Sequence, residues 1–88
     1  MKGLSKPRKR PLGALNIVGQ RVMHVRKQKA IKQKQLVAML QSRGMDICDA
    51  SMSRLEGQGR KVQDYEIPIL ADALGVSVAW LLLGEEEA

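Results

Sequence analysis

An interior with almost no aromatic side chains constrains this chain most tightly: among 88 residues there is one Trp, one Tyr and no Phe, although 44% are hydrophobic. The core must come from Leu, Ile, Val, Ala and Met, which suit short packed helices better than a sandwich of β-strands. A chain of this length makes one domain and buries only about 60% of the surface its unfolded form exposes. The expected core is therefore thin and helical.

The local signals divide the chain accordingly. Asn16 is a competent N-cap for a first helix, in which Ile17, Val18, Val22 and Val25 fall on one face while Gln20, Arg21, Arg26, Lys27 and Lys29 ride the others. A second helix begins near Lys32 or Gln33 without a good cap, carries Leu36, Val37, Met39 and Leu40, and stops at Gly44. The next segment, Asp46 to Glu56, is short and mostly polar, with Ile47, Met52 and Leu55 as a narrow apolar stripe and a helix expected from about Cys48 to Glu56. A loop follows, Gly57, Gln58, Gly59, Arg60 and Lys61, whose bases have no obvious partner. Asp64 is placed to cap a fourth helix, Tyr65 to Leu74, with Pro68 early enough to be tolerated and Gly75 closing it. Ser77 caps a last helix carrying Val78, Trp80, Leu81, Leu82 and Leu83 before Gly84. The expectation is an all-α domain of five short helices over residues 15–84, between a flexible basic arm (1–14) and an acidic tail (85–88).

Charge is distributed unevenly. Residues 1–61 hold all fifteen Lys and Arg against Asp46, Asp49 and Glu56, a net +12, whereas residues 62–88 hold six acids and no base, a net −6. A basic part attracts a polyanion and an acidic part turns from it, which points to nucleic acid. The lone Cys48 cannot form an internal disulfide, and His24 is the only histidine, so neither a zinc site nor any other metal or cofactor is expected. Cys48 reads as a small residue at a helix start rather than a redox switch, and His24 as a surface residue of the first helix rather than a ligand. No apolar run approaches the roughly 20 residues needed to cross a bilayer, and the basic start lacks the apolar stretch of a secretory signal. A cytoplasmic setting without membrane contact is the natural expectation. An enzyme is not expected: no nucleophile is matched to a histidine base, and there is neither a phosphate loop nor a plausible pair of carboxylates.

Four pieces of the sequence, in order, resemble one known family. Val18-Gly19 to Arg26, Gln33 to Leu36, Ser53-Arg54-Leu55-Glu56-Gly57, and Ala71 to Leu74 with Gly75-Val76-Ser77 and Trp80-Leu81-Leu82 are similar to the Cro/phage-repressor-type helix-turn-helix DNA-binding domain. The resemblance covers residues 17–84. It implies a lambda-repressor-like five-helix fold in which helices 2 and 3 form the helix-turn-helix and helix 3 enters the major groove of duplex DNA. It also implies a bacterial or phage origin and a transcriptional regulator, in the first place a repressor, acting as a homodimer. The alternative is a protein-interaction module, such as a DNA-binding antitoxin that holds a toxin partner. No small-molecule ligand is indicated.

On that resemblance the base-reading positions are Asp49, Ala50, Ser51 and Arg54. Arg54 can bond two acceptors on a guanine edge, with phosphate contact as the alternative; Asp49 can accept from cytosine N4 or simply cap its helix. Gln33 matches a position that meets a backbone phosphate, and Arg26 with Glu56 matches an ion pair joining helix 1 to the end of helix 3. Ser53, Arg60 and Lys61 are phosphate candidates by geometry and charge, and the arm residues Lys6, Arg8, Lys9 and Arg10 could lie along a groove. The basic run at 6–10 also has the composition of a nuclear localisation signal. One departure stands out: from Leu36 to Met52 the joint between helices 2 and 3 is several residues longer than the compact turn usual there, so helix 2 is expected to run a turn further.

Overall fold

Glycine and cap residues cut the chain into five helices. The computed structural model describes residues 15–84 and contains α1 (Gly19–Gln28), α2 (Gln33–Ser42), α3 (Asp49–Glu56), α4 (Glu66–Leu74) and α5 (Val78–Leu83), with no strand among the described residues. The arm positions Lys6, Arg8, Lys9 and Arg10 and the tail 85–88 lie outside the described residues. Each helix contributes a narrow apolar row to one core: Val18, Val22 and Val25 from α1 and the turn before it, Leu36, Val37 and Leu40 from α2, Met52 and Leu55 from α3, Leu70, Ala71, Ala73 and Leu74 from α4, and Leu81 from α5. The α3 helix packs on α1 and α2, α4 packs on the same two, and α5 closes against α4.

All five helices end in a residue with left-handed backbone, which lets the following amides turn back onto the last carbonyls. Gly44, Gly75 and Gly84 do this with φ of 89°, 72° and 74°. Ala30 and Gln58 do the same with φ of 57° and 70°. At the end of α1, Ala30 N–H donates to Lys27 O (3.0 Å) and Ile31 N–H to Arg26 O (2.9 Å); at the end of α3, Gln58 N–H donates to Leu55 O (3.4 Å) and Gly59 N–H to Arg54 O (2.7 Å). For a residue with a Cβ this conformation costs about 1–2 kcal/mol. The α3 terminus departs from the glycine rule in a specific way: the left-handed position falls on Gln58, between Gly57 and Gly59, neither of which has positive φ.

The helix starts are capped by side chains that differ in part from those expected. Asn16 Oδ1 accepts from Val18 N–H (3.2 Å) and Gly19 N–H (2.6 Å), so the helix opens at Gly19, and Ile17 is left at the surface rather than on the apolar face. At α2, Gln35 Oε1 accepts from Lys32 N–H (2.7 Å), supplying from within the helix the cap that Lys32 cannot. Asp64 does not cap α4, whose start has no side-chain cap; the Glu66 carboxylate instead turns back and accepts from Gln63 N–H (2.9 Å) in the turn before the helix. Ser77 Oγ accepts from Trp80 N–H (2.9 Å) at α5. The far end of α5 is closed from outside by Arg21, which donates to Leu81 O (2.9 Å) and Leu82 O (3.4 Å).

The long joint is shared between helix and turn. The α2 helix extends to Ser42, and residues 43–48 then cross to α3 with Met45 and Ile47 buried in the core and Gln41 Nε2 donating to Ile47 O (2.8 Å). Ile47 therefore belongs to the turn and not to the α3 stripe.

Candidate nucleic-acid interface

An eight-residue helix is too short to be stable alone, and α3 meets the core with only two apolar side chains, Met52 and Leu55. Polar struts complete its attachment. Glu56, its last residue, is buried and receives Arg26 in a two-point ion pair, Nε to Oε2 at 2.7 Å and Nη2 to Oε1 at 3.0 Å. Arg26 also donates to Ile31 O (2.9 Å), and Gln33 Nε2 donates to Glu56 Oε1 (3.0 Å). Asn16 Nδ2 donates to Leu55 O (3.0 Å) and Arg60 O (2.8 Å). Four points on α1, α2 and the segment before α1 thus set where the outer face of α3 points.

At 3.6 residues per turn, Asp49, Ala50, Ser53, Arg54 and Gly57 lie within about 140° of the α3 circumference. All five are exposed, while Met52, Leu55 and Glu56 form the buried side. Ser53, read from sequence as a phosphate residue, shares this face with Ala50 and Arg54. Ser51 does not: it is half-buried at the edge, with its Oγ 3.4 Å from Cys48 Sγ. Hydrogen bonds from the Ser51 hydroxyl and amide hold the exposed Cys48 thiol below its ordinary pKa. Arg54 has no ion-pair partner among the described residues. Its stem lies beside Gly59, where an added Cβ would stand 3.7 Å from Arg54 Cβ and Cγ. Asp49 occupies the first turn of α3, where a negative charge meets the positive end of the helix dipole.

Two of the phosphate candidates are committed elsewhere. Arg60, expected to be free, makes a two-point pair with Glu66, Nη1 to Oε1 at 3.1 Å and Nη2 to Oε2 at 3.0 Å, because Glu66 is buried at the start of α4 and has to be neutralised. The Gln33 side chain is taken up by Glu56, although the first-turn amides of α2 keep no intrahelical partner. Lys61 is exposed. Lys32 and Lys34, exposed on either side of Gln33, were overlooked; their signal is two bases flanking a helix start. Asp72 is paired with Arg43 (2.8 Å) at the surface.

Burial alone would raise the Glu66 pKa, but hydrogen bonds from Arg60 and Gln63 N–H, with the Arg60 charge, hold it below the ordinary carboxylate value. A carboxyl with a lower pKa in the folded than in the unfolded chain contributes stability that is complete above about pH 4.5 and is lost as pH falls through the folded value. Thermal unfolding of the wild type and Glu66→Gln should therefore differ by a constant amount from pH 7 to 5, the gap narrowing below that. A gap that does not change with pH would show that the ionised carboxylate adds nothing.

Among the described residues, no three His, Cys, Asp or Glu side chains converge to hold a metal ion, and no helix is long and apolar enough to cross a membrane. An open groove of about 530 Å³ between the second half of α1 and the α4–α5 turn, with His24, Lys29, Ser77 and Trp80 in its walls, lies apart from the α3 face. Compared with protein-family models and with curated proteins, the chain matches none.

Proposed function

We propose that this chain is a sequence-specific duplex-DNA-binding regulator of the Cro/phage-repressor helix-turn-helix type, with α2 and α3 as the motif and α3 in the major groove. The observation that carries this reading is the face of α3: a polar, exposed stripe of small residues and one unpaired Arg, on a helix whose other side is fixed by buried struts. A major groove about 12 Å wide accepts a helix, and small side chains beside Arg54 let the backbone come close to the base edges. The charge around it agrees with a polyanion partner. Glu56, Glu66 and Asp72 are each paired with an Arg, whereas Lys32, Lys34, Arg54 and Lys61 make no ion pair among the described residues. On this reading Arg54, Ala50, Ser53 and Asp49 face bases, and Lys32, Lys34, Lys61 and the first-turn amides of α2 meet phosphates.

A homodimer on half-sites about one helical turn apart supplies the contact area that one small unit lacks. The α5 helix, whose first and last residues Val78 and Leu83 are exposed, is a candidate contact surface. Selection of binding sites from random duplex DNA, followed by titration against salt, tests the reading. Arg54→Ala is expected to relax preference at one base position at a cost of about 1–3 kcal/mol, whereas Lys61→Ala should weaken all sequences alike and lower the salt slope by about 0.9. If no sequence is enriched, specific DNA binding is excluded.

A further inference from the structure

Gln58 is disfavoured twice over. Its backbone is left-handed, the conformation that glycine adopts without strain, although a glycine stands on either side of it. Its side-chain Nε2 and Oε1 are both buried without a hydrogen-bond partner, and no other described side-chain nitrogen or oxygen is. The carboxamide is packed beside the start of α1, with Nε2 2.9 Å from where a Cβ on Gly19 would stand. A strained residue with an unsatisfied buried amide persists only where its surroundings over-determine it, and such positions collect at binding sites.

The loop is built so that only this residue need move. Asn16 holds Leu55 O on one side and Arg60 O on the other, and Arg60 is locked to Glu66. Residues 57–59 lie between these anchors, and the two glycines flanking Gln58 permit rotation that leaves α3 and α4 in place. Gly59 lies beside the stem of Arg54, and Lys61 follows two residues later, so the loop borders the face assigned to DNA.

Resting on the DNA-binding reading above, we propose that Gln58 is a stored phosphate contact: on DNA its carboxamide leaves the niche beside Gly19 and donates an N–H to a backbone phosphate next to the end of α3. The contact positions the protein without reading sequence, because phosphates are the same at every base pair. Burying the amide unpaired in the free protein makes the bound arrangement the one in which its donor is satisfied.

The test uses Gln58→Gly and, as a control for backbone strain, Ala30→Gly, which has the same left-handed geometry at the end of α1. Each should raise the melting temperature by about 4–8 °C, as expected for a domain of this size relieved of one such strain. Ala30→Gly should leave DNA affinity unchanged. Gln58→Gly should weaken binding roughly three- to tenfold, to selected and random duplexes alike, with the salt slope unaltered because the lost donor is neutral. A Gln58→Gly protein that melts no higher than wild type would overturn the stored strain. One that melts higher yet binds DNA as tightly as wild type would overturn the release. If the wild type binds no duplex at all, the DNA reading falls and the phosphate contact with it, while the two melting temperatures still decide whether Gln58 is strained.

Discussion

Replacing Arg26 by alanine is expected to destabilise the domain by about 3–5 kcal/mol, the cost of leaving a buried charge without its partner. The side chain of Glu56 is 3% exposed and that of Arg26 11%, so water cannot take over the role of the guanidinium. Gln33 would remain as a single neutral donor to Glu56 Oε1. The loss is comparable to the 5–15 kcal/mol that holds a typical domain together. Urea unfolding should therefore show a large drop in midpoint. Replacing both partners by Met should recover much of it, because two apolar groups of similar volume leave no unpaired charge behind. A loss below about 1 kcal/mol for Arg26→Ala would mean that the pair is effectively solvated. Arg26→Lys is expected to fall between, since an ammonium cannot make the two-point contact.

Gly19→Ala should be the second severe change, and its sign runs against helix propensity, which favours Ala over Gly by about 1 kcal/mol inside a helix. A Cβ at this position collides with the backbone carbonyl of Leu55 and stands 2.9 Å from both Asn16 Oδ1 and Gln58 Nε2. The carbonyl cannot retreat freely, because it is the end of α3 and already accepts from Asn16 Nδ2. Relief requires α3 to move away from α1, with a loss of about 2–3 kcal/mol. Because the same movement tilts the outer face of α3, the proposed DNA binding predicts an affinity that falls beyond what the lost stability explains, measured at a temperature where the variant is still folded. An unchanged or raised melting temperature would show that α1 and α3 do not depend on this close approach.

Much of the fold was legible because it is local. Gly44, Gly75 and Gly84 end helices by their backbone freedom, Ser77 caps the last one, and Asn16 caps the first, all within four residues of the amides they serve. The apolar rows of α1 and α2 follow from periodicity, apart from Ile17, which is exposed. Where the local reading failed, an equally local competitor won. Glu66, and not Asp64, makes the side-chain hydrogen bond at the start of α4, to Gln63 N–H in the preceding turn, and the left-handed turn falls on Gln58 in place of a neighbouring glycine. The family resemblance singled out Arg26, Gln33 and Glu56, but not that Gln33 and Arg26 meet on the same carboxylate.

The order of the short helices, the glycine-closed ends of α2, α4 and α5 and an aliphatic core follow from the sequence alone, since each depends on contacts spanning a few residues. The outward direction of α3 was decided by the tertiary structure. Periodicity divides Asp49–Glu56 into faces, but the face turned to solvent depends on Asn16 and Arg26, 39 and 30 residues away from the groups they hold. The same is true of Arg60: nothing in a Gly-rich basic loop says that its guanidinium belongs to Glu66, and only the burial of that carboxylate makes the pairing necessary.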